Sequence, residues 1–276
     1  MTGAVIIATE ESHKLDAIGG SNDPTPFATL FTGMLLANLF YWCTNQYVIQ
    51  RTLSARSLAE GQKGVLLSGF FKVMVPLIMM LPGVIAYHLY WGEGAASGLS
   101  SMDLAYPQLV RDVLPGWAQG LFLAVLMGAV FSSFNSLLNS AATLLCLDVY
   151  APLRARRGHR VDDEEMIRIA KRAGLGIAIV SFIIAPLLQY APDGLWQLIR
   201  IFTGFYNIPV IAIVLFAMFA KRTSPEAAKA VIVFHVIAYG MMQFVFKETL
   251  PIHFLHLYAI LFVIELGILF IGARRQ

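Results

Sequence analysis

Asn38, Thr44, Asn45, Gln46 and Gln50 bring amides and a hydroxyl into one stretch, NLFYWCTNQYVIQRTL, whose start is otherwise apolar and aromatic. Asn38 and Tyr41 stand three residues apart, so on a helix they share a face. An amide beside an aromatic ring suits a polyhydroxylated or amphipathic solute. Such groups also bridge helices inside a bilayer, for about 1 kcal/mol each, and composition alone leaves both roles open. Lys72 and Arg200 pose a sharper question, because each lies within a long apolar stretch. A basic side chain near the centre of a membrane helix costs about 2.5–3.5 kcal/mol. Neither is cheap to keep.

The elements that must position these residues follow from the solvent. Hydrophobic residues make up 58% of the 276 positions and charged residues 13%, with a mean hydropathy of +0.68. A soluble domain carries about a quarter charged residues, so lipid must face much of this chain. The net charge of +3 is modest. No nucleotide motif, internal repeat or low-complexity tract occurs, and no nucleic acid is expected as a partner. Cys43 and Cys146 both lie in apolar stretches and read as buried free thiols. The opening MTGAVIIAT lacks a basic start and is too short to span a bilayer, so it does not read as a signal peptide. It could be the tail of a helix whose beginning is absent.

Spanning a bilayer takes about 20 mostly apolar residues in a helix. Seven segments qualify: Phe27–Ile49, Gly64–Tyr90, Trp117–Leu147, Ala173–Tyr190, Trp196–Ala220, Ala227–Phe246 and Phe254–Gly272. Strand periodicity is absent from them, which predicts an all-α integral membrane protein. With the N-terminus outside, fifteen Lys and Arg fall on the cytoplasmic side. The outer side holds only Lys14, Arg111 and Lys247. That imbalance obeys the positive-inside bias and predicts a C-terminus in the cytoplasm of an inner, or plasma, membrane protein. The loop Gly92–Gly116 is expected to carry a short helix against the outer face. Ala151–Arg172 is expected to form a solvated cytoplasmic helix.

Two motifs give this framework a family. The run YWCTNQYVIQRTLSARSLAEGQKG and the third segment's LMGAVFSSFNSLLNSAATLLCLDVY resemble the sodium/solute symporter family, which includes the sodium–glucose cotransporters. The AYPQLV loop and the spacing between the motifs fit as well, and the similarity runs from about Asp16 onward. The resemblance implies a LeuT-like fold of two inverted five-helix repeats. This chain would be a single transmembrane domain supplying the second repeat, about residues 26–222, followed by two peripheral helices, about 227–272. The resemblance implies that Asn38 hydrogen-bonds substrate, Tyr41 forms an inner gate stacked on it, and Lys72 lines the pocket. It implies that Ala129, Ser132 and Ser133 hold sodium, the coupling ion. Hard cations prefer oxygen ligands, and these positions, i, i+3 and i+4, face one way on a helix. Small residues there also suit close helix packing.

Arg200 departs from the family pattern. It aligns with a glutamine that contacts sugar in glucose-type members. A guanidinium presents a planar fork suited to carboxylate, sulfonate or phosphate oxygens, so an anionic group on the substrate is one reading. Snorkelling or pairing with an acid elsewhere is the other. Glu265 is expected to face a neighbouring helix or the inner interface, and His88, His235, His253 and His256 to be structural residues near helix ends. Asn207-Ile208-Pro209 is expected to kink the fifth segment, because Pro removes a backbone donor. A local ion pair is expected between Asp148 and Arg154.

Together these readings favour sodium-coupled symport of a small polar solute, a sugar or sugar derivative, with no enzymatic chemistry. The alternatives are a non-transporting remnant and a sensory or interaction module of the same fold. The resemblance implies that a first repeat supplies the rest of the sodium shell, so the chain reads as the C-terminal half of a transporter: a fragment of a longer protein, a truncated reading frame, or a chain that needs a partner carrying the first half.

Overall fold

The computed structural model describes residues 18, 20, 25–90, 99, 102–159, 161–190, 195–220, 222–246 and 252–274. Lys14, Arg160, Lys221, Lys247 and Arg275, which entered the orientation argument, lie outside the described residues, as does the opening apolar run. Every regular element that is described is helical. A 3-10 turn at Phe27–Phe31 leads into α1 (Gly33–Cys43) and α2 (Gln46–Leu53). There follow α3 (Leu58–Tyr90), α4 (Ala105–Val113), α5 (Gly116–Leu144), α6 (Ala151–Arg156), α7 (Asp163–Ile184), α8 (Leu195–Phe219), α9 (Pro225–Gly240) and α10 (Phe254–Arg274). Wider π turns at Leu145–Tyr150 and Met241–Val245 extend α5 into α6 and lengthen α9. Among the described residues, six spans are long and apolar enough to cross a membrane: Leu58–Tyr90, Gly116–Arg156, Asp163–Leu188, Leu198–Phe219, Pro225–Val245 and Phe254–Arg274. The chain is a multi-pass, all-α integral membrane protein.

The segment expected at Phe27–Ile49 is not one helix. Its only apolar helix, α1, is eleven residues long. The break after it is local chemistry. The Phe40 carbonyl accepts from the Thr44 N–H at 2.9 Å, the Asn45 N–H at 3.1 Å and the Thr44 hydroxyl at 2.9 Å. Asn45 Oδ1 then accepts from the Tyr47 N–H at 3.3 Å and opens α2. Short polar side chains compete with helix hydrogen bonds in this way. The residues that looked suited to binding a solute are also those that divide the helix.

Other expectations are met or revised by geometry. The outer-loop helix exists as α4, seated on the end of α3 through Ala86, Tyr90 and Leu109. Among the described residues, the inner connection carries no helix apart from the ends of two spans. Instead α6 prolongs the preceding span, Gly158 turns the chain at φ +76°, and α7 starts at once, with Asp162 Oδ1 capping the Glu165 N–H at 2.7 Å. Only Gly adopts that φ without strain. Arg154 pairs with Glu165, Nη2 to Oε1 3.4 Å, not with Asp148. Positions six apart on a helical run point in different directions, while the turn at Gly158 brings Glu165 back alongside. Cys146 is buried as expected, but Cys43 is exposed. Pro209 lies within α8, which stays helical through it.

The chain forms two compact units, one built from Gln50–Leu195 and the other from the described parts of Leu15–Ile49 and Trp196–Gln276. In the first, Gly174 of α7 packs on Leu138 and Ala142 of α5. The apolar face of α3 is bare along its length, with Phe70, Phe71, Val73, Leu77, Ile78 and Met80 all exposed. The second unit has the denser core. Leu36, Ile208, Tyr239, Phe254, Leu257 and Leu261 form its centre, and Ala212, Ala227, Val231 and Leu269 a second cluster. A side chain at Gly33 would run into the Leu255 carbonyl, so α1 reaches α10 only because that position has none.

Candidate functional site

The candidate residues divide between the units. Asn38, Tyr41 and Arg200 belong to the second; Lys72, Ala129, Ser132 and Ser133 belong to the first.

In the second unit, α1 and α8 meet at Met34. The Asn38 Nδ2 donates to the Met34 carbonyl at 2.9 Å. Arg200 approaches the other end of the same residue, its Nη2 3.6 Å from the thioether sulfur. Its Nη1 donates to Thr25 Oγ1 at 3.0 Å, and the guanidinium lies 5.3 Å from the centre of the Phe254 ring. Cation–π contacts of this kind are worth about 0.5–2 kcal/mol. These three contacts are with neutral groups, and Arg200 remains partly exposed. Asn38 and Arg200 are thus brought to one residue, which their separation in sequence does not show. Tyr41 sits at the end of α1, its hydroxyl 2.7 Å from that of Tyr47. Asn207 lies two turns beyond Arg200 on the same face of α8, and its Oδ1 is buried with no hydrogen-bond partner. Sequence reasoning took Asn207 only for part of a kink; the i, i+7 spacing from Arg200 was the signal for a shared face.

In the first unit, Lys72 is exposed on α3. Ala129, Ser132 and Ser133 form an exposed patch on α5. Helical Ser and Thr commonly return their hydroxyl to the carbonyl four residues back. Ser68, Ser136, Thr143 and Ser181 do so, at 2.8–2.9 Å. Among the described residues the Ser132 and Ser133 hydroxyls bond to nothing, so their lone pairs are free on the surface. That donor set suits a hard monovalent cation, since it offers oxygen without a fixed negative charge. Nor does any group of three or more His, Cys, Asp or Glu gather among the described residues. One turn on, Arg51 donates to Ser136 Oγ, and Ser136 Oγ donates to the Ser132 carbonyl at 2.9 Å. Arg51 had entered the sequence argument only as a cytoplasmic positive charge.

Outside the spans, the Asp112 carboxylate of α4 accepts from the Tyr90 hydroxyl at 2.7 Å and from Gln108 at 3.0 and 3.1 Å. The Tyr90 bond, then the Gln108 bond, hold this carboxyl below the usual carboxylate range.

Long apolar spans that keep amides, hydroxyls and two cations within them are those of a multi-pass membrane protein. The chain belongs to the sodium:solute symporter family, whose model matches residues 7–234. Members of that family are transporters and not enzymes. Over 271 residues it is 40% identical to the uncharacterized symporter YidK of Escherichia coli (strain K12), covering 98% of this chain and 46% of that protein. It is 35% identical over 212 residues to the sodium/glucose cotransporter of Vibrio parahaemolyticus, covering 73% and 38%. It is 31% identical over 217 residues to the human sodium/myo-inositol cotransporter 2, covering 74% and 31%. The chain spans less than half the length of these curated relatives.

Proposed function

We propose that this chain supplies the second inverted repeat, about residues 26–222, and two peripheral helices of a symporter that couples sodium entry to uptake of a small polar solute. The observation that carries the sodium part is the pair of Ser132 and Ser133 hydroxyls, which do not fold back onto their own helix. With the Ala129 carbonyl they would hold the coupling ion. The solute we assign is a sugar or sugar derivative. Asn38 and Lys72 would hydrogen-bond its hydroxyls, Tyr41 would stack on it as the inner gate, and Arg200 would take an anionic substituent. Relatives named for glucose and for myo-inositol support the polyol chemistry. The planar fork of donors on Arg200 supports the anionic substituent, since it matches carboxylate, sulfonate or phosphate oxygens. Orientation follows the positive-inside bias, with the N-terminus outside and the C-terminus in the cytoplasm of the inner membrane.

The chain would work with a first-repeat half like the additional length of its relatives. The bare α3 face would then face protein or lipid, and the exposed serine patch the first-repeat half. Proteoliposomes containing this chain alone, or the chain joined to a relative's first repeat, test the reading by sodium-dependent uptake of neutral and anionic sugars. The joined protein is expected to transport and the chain alone to be inactive. Uptake by the chain alone would overturn the half-transporter reading. An Arg200→Gln variant that kept unchanged affinity for the native solute would remove the anionic substituent.

A further inference from the structure

His235 and Glu265 lie midway along the spans Pro225–Val245 and Phe254–Arg274, and both are completely buried. His235 is therefore not a residue near a helix end, as its sequence setting indicated. The ring's Nδ1 is 2.5 Å from Glu265 Oε1, and its Nε2 is 3.1 Å from the Gly204 carbonyl of α8. A carbonyl only accepts, so Nε2 must carry a proton. Nδ1 and Oε1 then need a second proton between them, because two lone pairs at that distance repel. The dyad is neutral whichever of the two atoms owns this shared proton. Neutrality is what the bilayer interior favours, where an uncompensated charge is costly. Loss of the proton would leave a buried anion whose Oε2 is enclosed with no hydrogen-bond partner.

The dyad belongs to a larger grip on α8. The Tyr239 hydroxyl donates to the Ile201 carbonyl at 3.1 Å, and the Tyr258 hydroxyl to the Arg200 carbonyl at 2.9 Å. Residues 200, 201 and 204 share a face of α8, so α9 and α10 hold its backbone through three side-chain donors. The other ionisable groups around the dyad are Tyr239 on α9, its ring 5.5 Å from that of His235, and Tyr258 on α10. Arg200 on α8 is turned to Thr25 and Met34, and His256 on α10 to Thr32 at 3.0 Å.

We infer that His235 and Glu265 form an intramembrane proton-binding site, and that the bound proton fixes the backbone of α8 through the Gly204 carbonyl. The site lies outside the 7–234 stretch that the family model matches and is independent of the sodium reading.

The test is nitrogen NMR of the full chain in lipid nanodiscs, with ¹⁵N-histidine and carbonyl-labelled glycine. Coupling to a glycine carbonyl identifies the His235 resonance without any substitution. That histidine is expected to carry its proton on Nε2. An unprotonated Nε2 overturns the inference. Glu265→Gln offers an N–H in place of the shared proton, and is expected to keep Nε2 protonated and melt within about 3 °C of the parent. Glu265→Leu removes the partner and is expected to melt further below it. Equal loss from the two variants would also overturn the shared proton.

Discussion

The hydroxyl of Tyr41 lies 2.7 Å from that of Tyr47, so the two side chains close over the non-helical step between α1 and α2. Tyr41 is thereby held by the far side of a break in its own segment. Tyr47→Phe removes that tether, at about 0.5–1.5 kcal/mol, and leaves the Tyr41 ring in place. In the joined transporter the variant is expected to change the rate of solute release while solute affinity stays near the parent's. Paired uptake and binding measurements separate the two. An effect on affinity alone would count against Tyr41 as a gate.

Ser132→Ala with Ser133→Ala deletes two exposed hydroxyls of α5 that bond to nothing among the described residues. Apparent sodium affinity of the joined transporter is expected to fall about tenfold or more, equivalent to about 1.4 kcal/mol. Ser136→Ala removes the contact with Arg51 but no proposed ligand, and is expected to leave sodium dependence near normal. Sodium titrations of uptake check both.

Gly204→Ala places a methyl against the hydroxyls of Tyr258 and Tyr239. Both tyrosines hold α8 carbonyls, so they cannot retreat without giving up a bond. Crowding of this kind costs about 1–3 kcal/mol, and a lowered melting temperature in thermal unfolding is the expected result. Gly64→Ala, in open space, serves as the comparison and is expected to be near neutral.

The lowered Asp112 carboxyl gives a pH prediction with a definite sign. Its depressed folded value means that the Tyr90–Asp112 link contributes fully above the ordinary carboxylate range. The contribution is lost as pH falls through the depressed folded value. Tyr90→Phe removes the largest cause, so the Asp112 titration is expected to move upward toward the ordinary range. Carbon NMR of labelled aspartate follows it directly.

The residues carrying the family motifs were legible in the linear chain, and so was their helical setting, because a membrane solvent constrains composition segment by segment. Asn45 shows where that reading ends. Its amide counted as a polar group available to a solute, yet in the structure it opens α2 by accepting from Tyr47. Sequence hydropathy averages over such a residue and cannot say which bond it makes.

The amino-acid sequence by itself determined that this is an all-helical membrane protein of the sodium:solute symporter type, since apolar length and local motif chemistry need no distant partner to be recognised. Only the tertiary structure decided which polar groups meet. Arg154 turns to Glu165 because Gly158 reverses the chain, and Asn38 and Arg200 converge on Met34 because α8 meets α1 there. His235 finds Glu265 thirty residues on, with the Gly204 carbonyl on its other side. Pairing inside a membrane depends on which faces of separate helices come together, and that is a property of packing.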